Sequence, residues 1–347
     1  MQYQIDSPKR IRIGVVGAGS HCYRNILPTL LYLPVELVAV ADIDADRAVA
    51  VAQRFGAHHS YSSAASMYEA EQLDAVLLVV SPQMHPVLTI EALKAGLHVY
   101  MEKPAAMRAR DVEAMLAARG DRTVVVGYKK SFMPATRKAV ELLADPANQP
   151  LRSLLGVYPI SLPENGPEAL EQGARSQWLA NGCHPLSILL ELGGSVDEVI
   201  VHTGRHGGSV AILRHTNGAI SNLHMAFGAP TSQPNERFLV IAGKHSIEIE
   251  NSRKLIYQRG IDFDYSHGTS YLSGAGAVVW EAQNSLNSPE NMAVMTQGLF
   301  GGLEHFCNSV LSGTQATTGG LEFALELTRI WEAALLSGGR PYAIARH

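Results

Sequence analysis

The first third of the chain alternates short apolar runs with stretches of helical spacing. Arg10–Val16 (RIRIGVV) is a β-branched run that ends in glycines, and a helical stretch follows from about His21 to Leu33. Val35–Ala41 (VELVAVA) reads as a second strand. Asp44–Phe55 has helical spacing and stops at Gly56, a C-terminal cap. Ala75–Val80 (AVLLVV) is apolar without alternation, the mark of a strand buried on both faces. Pro86–Ala95 is predicted as a helix stopped by Gly96. Leu97–Met101 and Val124–Gly127 are predicted strands around a helix over Arg110–Ala118. Repeated strand–helix–strand units with apolar strands predict a doubly wound parallel sheet with helices on both faces.

The pattern changes near residue 128. A helix is expected over about Pro134–Leu143, then a longer strand over Leu151–Ile160. Ser195–Thr203, Ser209–His215, Ala219–Phe227, Phe238–Ala242 and Ser246–Glu250 follow as strands. Their connections carry turn chemistry, TNG at 216–218 and GK at 243–244. One helix, about Trp178–Leu192, is inserted among them. Residues 260–298 are polar, with scattered Tyr271 and Trp280, and read as long loops over a site. Two helices close the chain, about Leu299–Leu311 and Gly320–Leu336. The expected fold class is α/β. A doubly wound domain over 1–128 precedes an α+β domain over 129–347 with an open, mainly antiparallel sheet.

Length agrees with this division, since 347 residues suit two domains. Hydrophobic residues at 46% and charged residues at 17% exclude a disordered or fibrous chain. A formal net charge of −4 gives no basic footprint, so nucleic acid and anionic membrane are not expected partners. Three cysteines without a CxxC pair form neither a disulfide framework nor a zinc cluster. The histidines, among them His58, His59, His202, His206, His215 and His224, show no metal-ligand spacing, and no metal is expected. AVLLVV is too short to cross a membrane, and the N-terminal MQYQIDSPKRIRIG lacks a signal-peptide core. The expectation is a soluble, cytoplasmic protein.

Gly17-Ala18-Gly19-Ser20-His21-Cys22 lies directly after the first strand and opens a helix. A helix N-terminus offers free N–H groups and a positive dipole end to a pyrophosphate. Gly17 permits the tight turn, and Gly19 lets the backbone approach the phosphates. Cys22 replaces the third glycine, a packing position where a small residue still fits. The plain alternative is an ordinary strand-to-helix turn. Asp42 ends the second strand, 23 residues after Gly19, close to the spacing of the acid that holds a ribose 2′-hydroxyl. A carboxylate there repels a 2′-phosphate and favours NAD over NADP. Otherwise Asp42 merely caps the next helix, a task Asp44 could share.

Ser81-Pro82-Gln83-Met84-His85 and Glu102-Lys103-Pro104 stand at the carboxyl ends of later strands, where doubly wound sheets bind ligands. SPQMH followed by EALKAGLHVYMEKPAA resembles the oxidoreductase family named for glucose–fructose oxidoreductase, inositol dehydrogenase and MocA. GYKKSFMP at 127–134 and LEFALELTRIWEAALLSGGRP at 321–341 resemble later segments of that family. The resemblance implies a Rossmann domain with Ser20, His21, Ser81, Pro82, His85 and Glu102 among the cofactor contacts. It also implies Lys103 between nicotinamide and substrate, after a Lys103–Pro104 peptide that is often cis. An ammonium there would stabilise a developing alkoxide. The family's D-x-G-x-H segment reads Ala180-Asn181-Gly182-Cys183-His184, so His184 matches while Ala180 replaces the aspartate. His184 is a sensible general acid or base, and Asn181 could orient its ring. Adjacent helical residues point apart, which rejects a Cys183–His184 nucleophile pair. Lys129 and Ser131 also depart from the family pattern. A Lys129–Lys130 pair would either favour an acidic substrate or form a solvated basic turn.

The resemblance therefore implies an NAD-dependent oxidoreductase that moves hydride to or from a secondary carbinol. Its substrate would be a sugar, polyol, cyclitol or sugar acid, and its state a homodimer or homotetramer. Lys103 and His184 would carry the chemistry, with Lys129 and Asn181 as substrate contacts. Ala180 keeps open a dinucleotide-binding regulator or scaffold without net turnover. A glycosidase of the same fold that cycles bound NAD is a third reading.

Overall fold

A computed structural model of the chain describes residues 9–173, 176–230, 232–260, 276–282 and 294–345. It divides into two compact units. The first comprises Met1–Phe132 and Ser288–Arg329, and the second Met133–Asn287 and Ile330–His347.

The first unit is built on six parallel strands: β1 (Ile11–Val16), β2 (Val35–Ala41), β3 (His59–Tyr61), β4 (Ala75–Leu78), β5 (His98–Met101) and β6 (Val124–Val126). Their order is β3-β2-β1-β4-β5-β6. The order reverses between β1 and β4, which opens a crevice at their carboxyl ends. Every residue of β4 and β6 is buried, as their unbroken apolarity requires. The helix Ala45–Phe55 is set by its ends. Asp44 Oδ1 accepts the Arg47 N–H at 3.1 Å, and Gly56 closes the helix at φ 75°.

The helix after β1 departs from α geometry. Cys22–Ile26 is a π turn, closed by the Leu27 N–H on the Cys22 carbonyl, and α-helix resumes over Leu27–Leu30. Pro28 is the reason: it has no N–H to give the preceding turn and crowds the residue before it.

Residues 294–329 belong with this unit, although the sequence places them in the second domain. The helix Leu299–Ser312 packs Phe306 edge-on against Tyr100 of β5, with ring centroids 5.9 Å apart. Beyond it, the Gly319 carbonyl accepts the Val126 N–H at 2.8 Å.

The second unit carries a nine-stranded sheet. Its strands are β7 (Leu151–Tyr158), β8 (Val196–Thr203), β9 (Ser209–His215), β10 (Ile220–Met225), β11 (Arg237–Ala242), β12 (His245–Glu250), β13 (Lys254–Gln258), β14 (Ala277–Glu281) and β15 (Tyr342–Ala343). The order is β14-β13-β12-β11-β7-β10-β9-β8-β15. All pairings are antiparallel except β7 with β10. Leu154, Leu223, Phe238 and Val240 alternate onto the buried face, under the helices Pro134–Leu143 and Cys183–Gly193. Trp178 and Trp331 lock two helices together, each indole N–H donating to the other's carbonyl at 3.3 and 3.2 Å.

Three expectations need correction here. Part of 260–298 is strand, because β14 pairs antiparallel with β13; residues 261–275 and 283–293 lie outside the described residues. The inserted helix is two helices, Gln177–Asn181 and Cys183–Gly193, joined at Gly182. A Cβ at Gly182 would stand 2.7 Å from the Trp178 ring. The third concerns residues 294–329, which group with the first unit.

Candidate active site

The crevice between β1 and β4 holds a cavity of about 470 Å³, lined by Gly17, Gly19, Asp42, Arg47, Ser63 and Ser81 among others. Gly17 has φ +91°, and a Cβ there would meet the Val79 carbonyl oxygen at 2.3 Å. Only glycine tolerates both. Gly19 differs: a Cβ on it would meet nothing within 4 Å. Its backbone borders open space in the cavity, the condition for a phosphate to come close.

Asp42 is buried at the end of β2. Its Oδ2 accepts the Ala18 N–H at 2.7 Å and its Oδ1 the Asp44 N–H at 2.9 Å. The carboxylate is thus fixed between the glycine turn and the next helix. Arg47 lies 3.5 Å from Asp42 Oδ1 and donates to Asp44 Oδ2 at 2.8 Å. Sequence reasoning passed over Arg47 and Ser63 as cavity residues. Arg47 carried a usable signal, since it follows the cap Asp44 by three positions and returns to its carboxylate.

The strand ends of β4 and β5 bring the remaining residues of this unit together. Ser81 and Pro82 form a turn in which Met84 N–H bonds to Ser81 O, at 2.9 Å, and His85 N–H to Pro82 O, at 3.3 Å. His85 is wholly buried, and its Nδ1–H donates to the Pro104 carbonyl at 2.8 Å. That bond fixes the tautomer, and burial holds the ring's pKa below its ordinary value. Glu102 is buried; its Oε2 accepts the N–H of Lys103 at 3.2 Å. Lys103 is half-buried, and the Lys103–Pro104 peptide is cis. His21, in the glycine loop beside Ser20, places Nε2 3.2 Å from Glu102 Oε1. Burial pushes the Cys22 thiol up to about 12, with the Glu102 and Asp42 carboxylates adding to the shift. This cysteine is a packing residue, as its place in the fingerprint required.

Lys129 and Lys130 fall in the 3₁₀ turn Lys129–Phe132. Lys129 Nζ donates to Gln297 Oε1 at 2.8 Å. Lys130 is only 5% exposed, which overturns the solvated basic turn for that residue.

In the second unit, His184 is 6% exposed in the first turn of Cys183–Gly193, and its carbonyl accepts the Ser187 hydroxyl at 2.9 Å. Asn181 ends the preceding helix and is half-buried, while Ala180 is exposed. Cys183 is a buried free thiol.

Comparison with known proteins agrees with this geometry. Residues 11–129 match the family model GFO_IDH_MocA, described as an oxidoreductase family with an NAD-binding Rossmann fold. Inositol 2-dehydrogenase 3 of Saccharopolyspora erythraea is 37% identical over 138 residues, covering 38% of this chain and 40% of that protein. The match therefore spans about two fifths of that relative. D-apiose dehydrogenase of Paraburkholderia graminis is 28% identical over 287 residues, 76% of this chain and 68% of that protein. An oxidoreductase from Agrobacterium radiobacter, solved with NAD+, L-tartaric acid and magnesium, superposes with a TM-score of 0.82 at 19% identity, covering 97% of this chain and 99% of that one. At that identity the likeness speaks for the fold. The segment that carries the glycine turn, Asp42 and Glu102-Lys103-Pro104 is thus similar to the Gfo/Idh/MocA family of NAD-binding Rossmann oxidoreductases.

Proposed function

We propose that the protein is an NAD-dependent dehydrogenase or reductase acting on a secondary carbinol of a small polyhydroxylated molecule. The observation that carries this is the cavity itself, with Gly19 open to it and Asp42 fixed at its wall. The residues fit a dinucleotide: glycines where phosphates need the backbone, and a carboxylate where ribose hydroxyls need an acceptor. Asp42 favours NAD over NADP by repelling a 2′-phosphate. Bound NAD would supply the acceptor or donor of the hydride. The chain's own part is electrostatic and protonic. Lys103 Nζ stabilises negative charge developing on the carbinol oxygen. His184, on the resemblance of its segment, exchanges the carbinol proton at a ring nitrogen. Ser20, His21, Ser81, Pro82, His85 and Glu102 are assigned to the cofactor side, and Lys129 and Asn181 to substrate contact. Relatives named for inositol and D-apiose support a sugar, polyol or cyclitol as substrate.

A thermal-shift series with NAD, NADH, NADP and NADPH tests the cofactor assignment. A ligand that binds the native state raises the melting temperature by mass action. NAD and NADH stabilise the wild type most, and Asp42→Ala erases their advantage over the phosphorylated pair. Equal shifts in both proteins would refute the NAD preference. A regulator without turnover would show the same shifts, yet no change in nicotinamide absorbance with any sugar or polyol.

The second unit is proposed to pair copies of the chain through the open face of its sheet. Leu155, Leu239 and Ile212 lie on strands β7, β11 and β9 at half-buried positions, opposite the helix-covered face. Light scattering on a sizing column should report a dimer or tetramer, and Leu239→Asp should dissociate it. A wild-type monomer sinks this part of the proposal. The three cysteines are free, buried thiols, which suits a reducing compartment such as the cytoplasm. No helix among the described residues is long and apolar enough to cross a membrane.

A further inference from the structure

Glu102 is a buried carboxylate with an unspent oxygen. It is 6% exposed, and its Oε2 accepts the Lys103 N–H. Its Oε1 has no hydrogen-bond donor among the described residues. Several groups face it. Cys22 approaches from the π turn, Tyr100 from β5 and His85 from the helix His85–Lys94, and all three feel its charge. Lys103 is its chain neighbour. The backbone of Gly127 is close enough that a Cβ there would stand 3.1 Å from Oε1. None of these donates to Oε1.

His21 is the glycine-loop side chain that reaches this carboxylate's free oxygen. Its Nε2 lies 3.2 Å from Oε1, at ion-pair distance but off the line of a hydrogen bond. The ring is set from its other side, where the Asn25 side-chain amide donates to Nδ1 at 3.0 Å. The proton of the neutral ring therefore sits on Nε2, the atom that faces Glu102. His21 is also 45% exposed, at the start of the helix that follows Gly19. It thus has one side on the surface a dinucleotide would cover and one side on the buried acid.

Beyond Glu102 the connection continues. Glu102 Oε2 holds the Lys103 backbone, and His85 Nδ1–H holds the Pro104 carbonyl at 2.8 Å. The segment that presents Lys103 is pinned on both flanks by side chains, and one of those side chains answers to the glycine loop.

We propose that His21 is a positioning residue that ties the glycine loop to Lys103 through Glu102. This deepens the assignment of the cavity as a dinucleotide site and rests on it. Coupling between two sites is reciprocal in binding free energy. If loop occupancy draws His21 Nε2–H into line with Oε1, then altering Glu102 must alter dinucleotide affinity, and only while His21 is present. An incidental surface pair would show neither effect.

The test is a double-mutant cycle read by calorimetric titration with NADH, on wild type, His21→Ala, Glu102→Gln, the double variant and His21→Gln. The glutamine amide places an N–H where Nε2–H stands. Expected is an increase in Kd of about five- to ten-fold for each single variant, the lower range for coupled sites. The double variant should be no weaker than the worse single one. His21→Gln should stay within about two-fold of wild type, a rescue that a merely steric role would not give. Additive losses, or a glutamine variant as weak as the alanine one, overturn the inference and leave the cavity assignment standing. Wild type that binds no NADH overturns the cavity assignment and this inference with it.

Discussion

Replacing Lys103 by methionine lowers turnover by about 10²- to 10⁴-fold, the range for loss of a preorganised charge or proton-transfer group. Methionine keeps much of the stem and removes only the ammonium. The backbone at this point is held by the Glu102 and His85 contacts, neither of which uses the lysine side chain. Stability should therefore change little, and NADH affinity should stay within about two-fold, because a loss confined to the transition state spares ground-state binding. The measurement is initial rate with whichever polyol or sugar the wild type oxidises, beside a calorimetric titration. Equal activity in the variant would remove Lys103 from the mechanism. A loss of affinity equal to the loss of rate would make it a cofactor anchor instead.

The second large effect belongs to the glycine turn, where two glycines separated by one residue part company. Gly17→Ala should destabilise the protein by about 3 kcal/mol, since a side chain is strained at positive φ and overpacked against a backbone oxygen. The strain is set by φ +91° and the 2.3 Å approach to the Val79 carbonyl. In a unit of this size that is roughly 6–12 °C in melting temperature. Gly19→Ala should leave melting unchanged, because its Cβ meets nothing within 4 Å. It should instead weaken NADH by about ten-fold or more, since the added methyl enters the space where phosphates need the backbone. Differential scanning calorimetry and titration on the two variants separate the roles. If Gly17→Ala melts like the wild type, the turn is not constrained as the geometry requires.

Much of the first unit was legible because its signals are local. Asp44 and Gly56 mark the ends of their helix by side-chain and backbone chemistry that acts within one turn. The apolar run at Ala75 marks an interior strand buried on both faces, and β4 is interior to the sheet with all four residues buried. The π turn was hidden, although Pro28 announces a fault in the helix without saying which kind. β13 and β14 went unread for a similar reason. The β12–β13 turn uses Asn251-Ser252, both at positive φ, where Asn-Gly would have been plain. Ser252 is favoured there by a contact no spacing shows: its hydroxyl donates to Glu236 Oε2 at 2.7 Å. The helix Gly166–Gln172 opens on Gly-Pro, which reads as a turn, although the cap Asn165 on the Glu168 N–H and the left-handed Gly173 mark its two ends.

The site was legible residue by residue but not as a network. Gly17, Gly19 and Asp42 were named from spacing and Ser81 from its strand end and the resemblance, and the four line one cavity. Resemblance singled out Lys103, Glu102, His85 and His21. What joins them, Nδ1 of His85 on the Pro104 carbonyl and Nε2 of His21 near Glu102, depends on how strand ends meet. The burial of Lys130 was invisible for the same reason, since its neighbour Lys129 remains at the surface and bonds Gln297. Polar letters in a row look solvated until a distant helix covers one of them.

The pairing of Val126 with Gly319 sets a timetable for synthesis. At about 5–20 residues per second, Gly319 is made roughly 10–40 s after Val126. Until then β6 and Tyr100 lack the helix that shields them, and the nascent first unit carries an exposed apolar edge. The second unit's long strands are made during the same interval. A chaperone that holds the emerging chain has its work in that window, and slow codons placed before residue 299 would lengthen it.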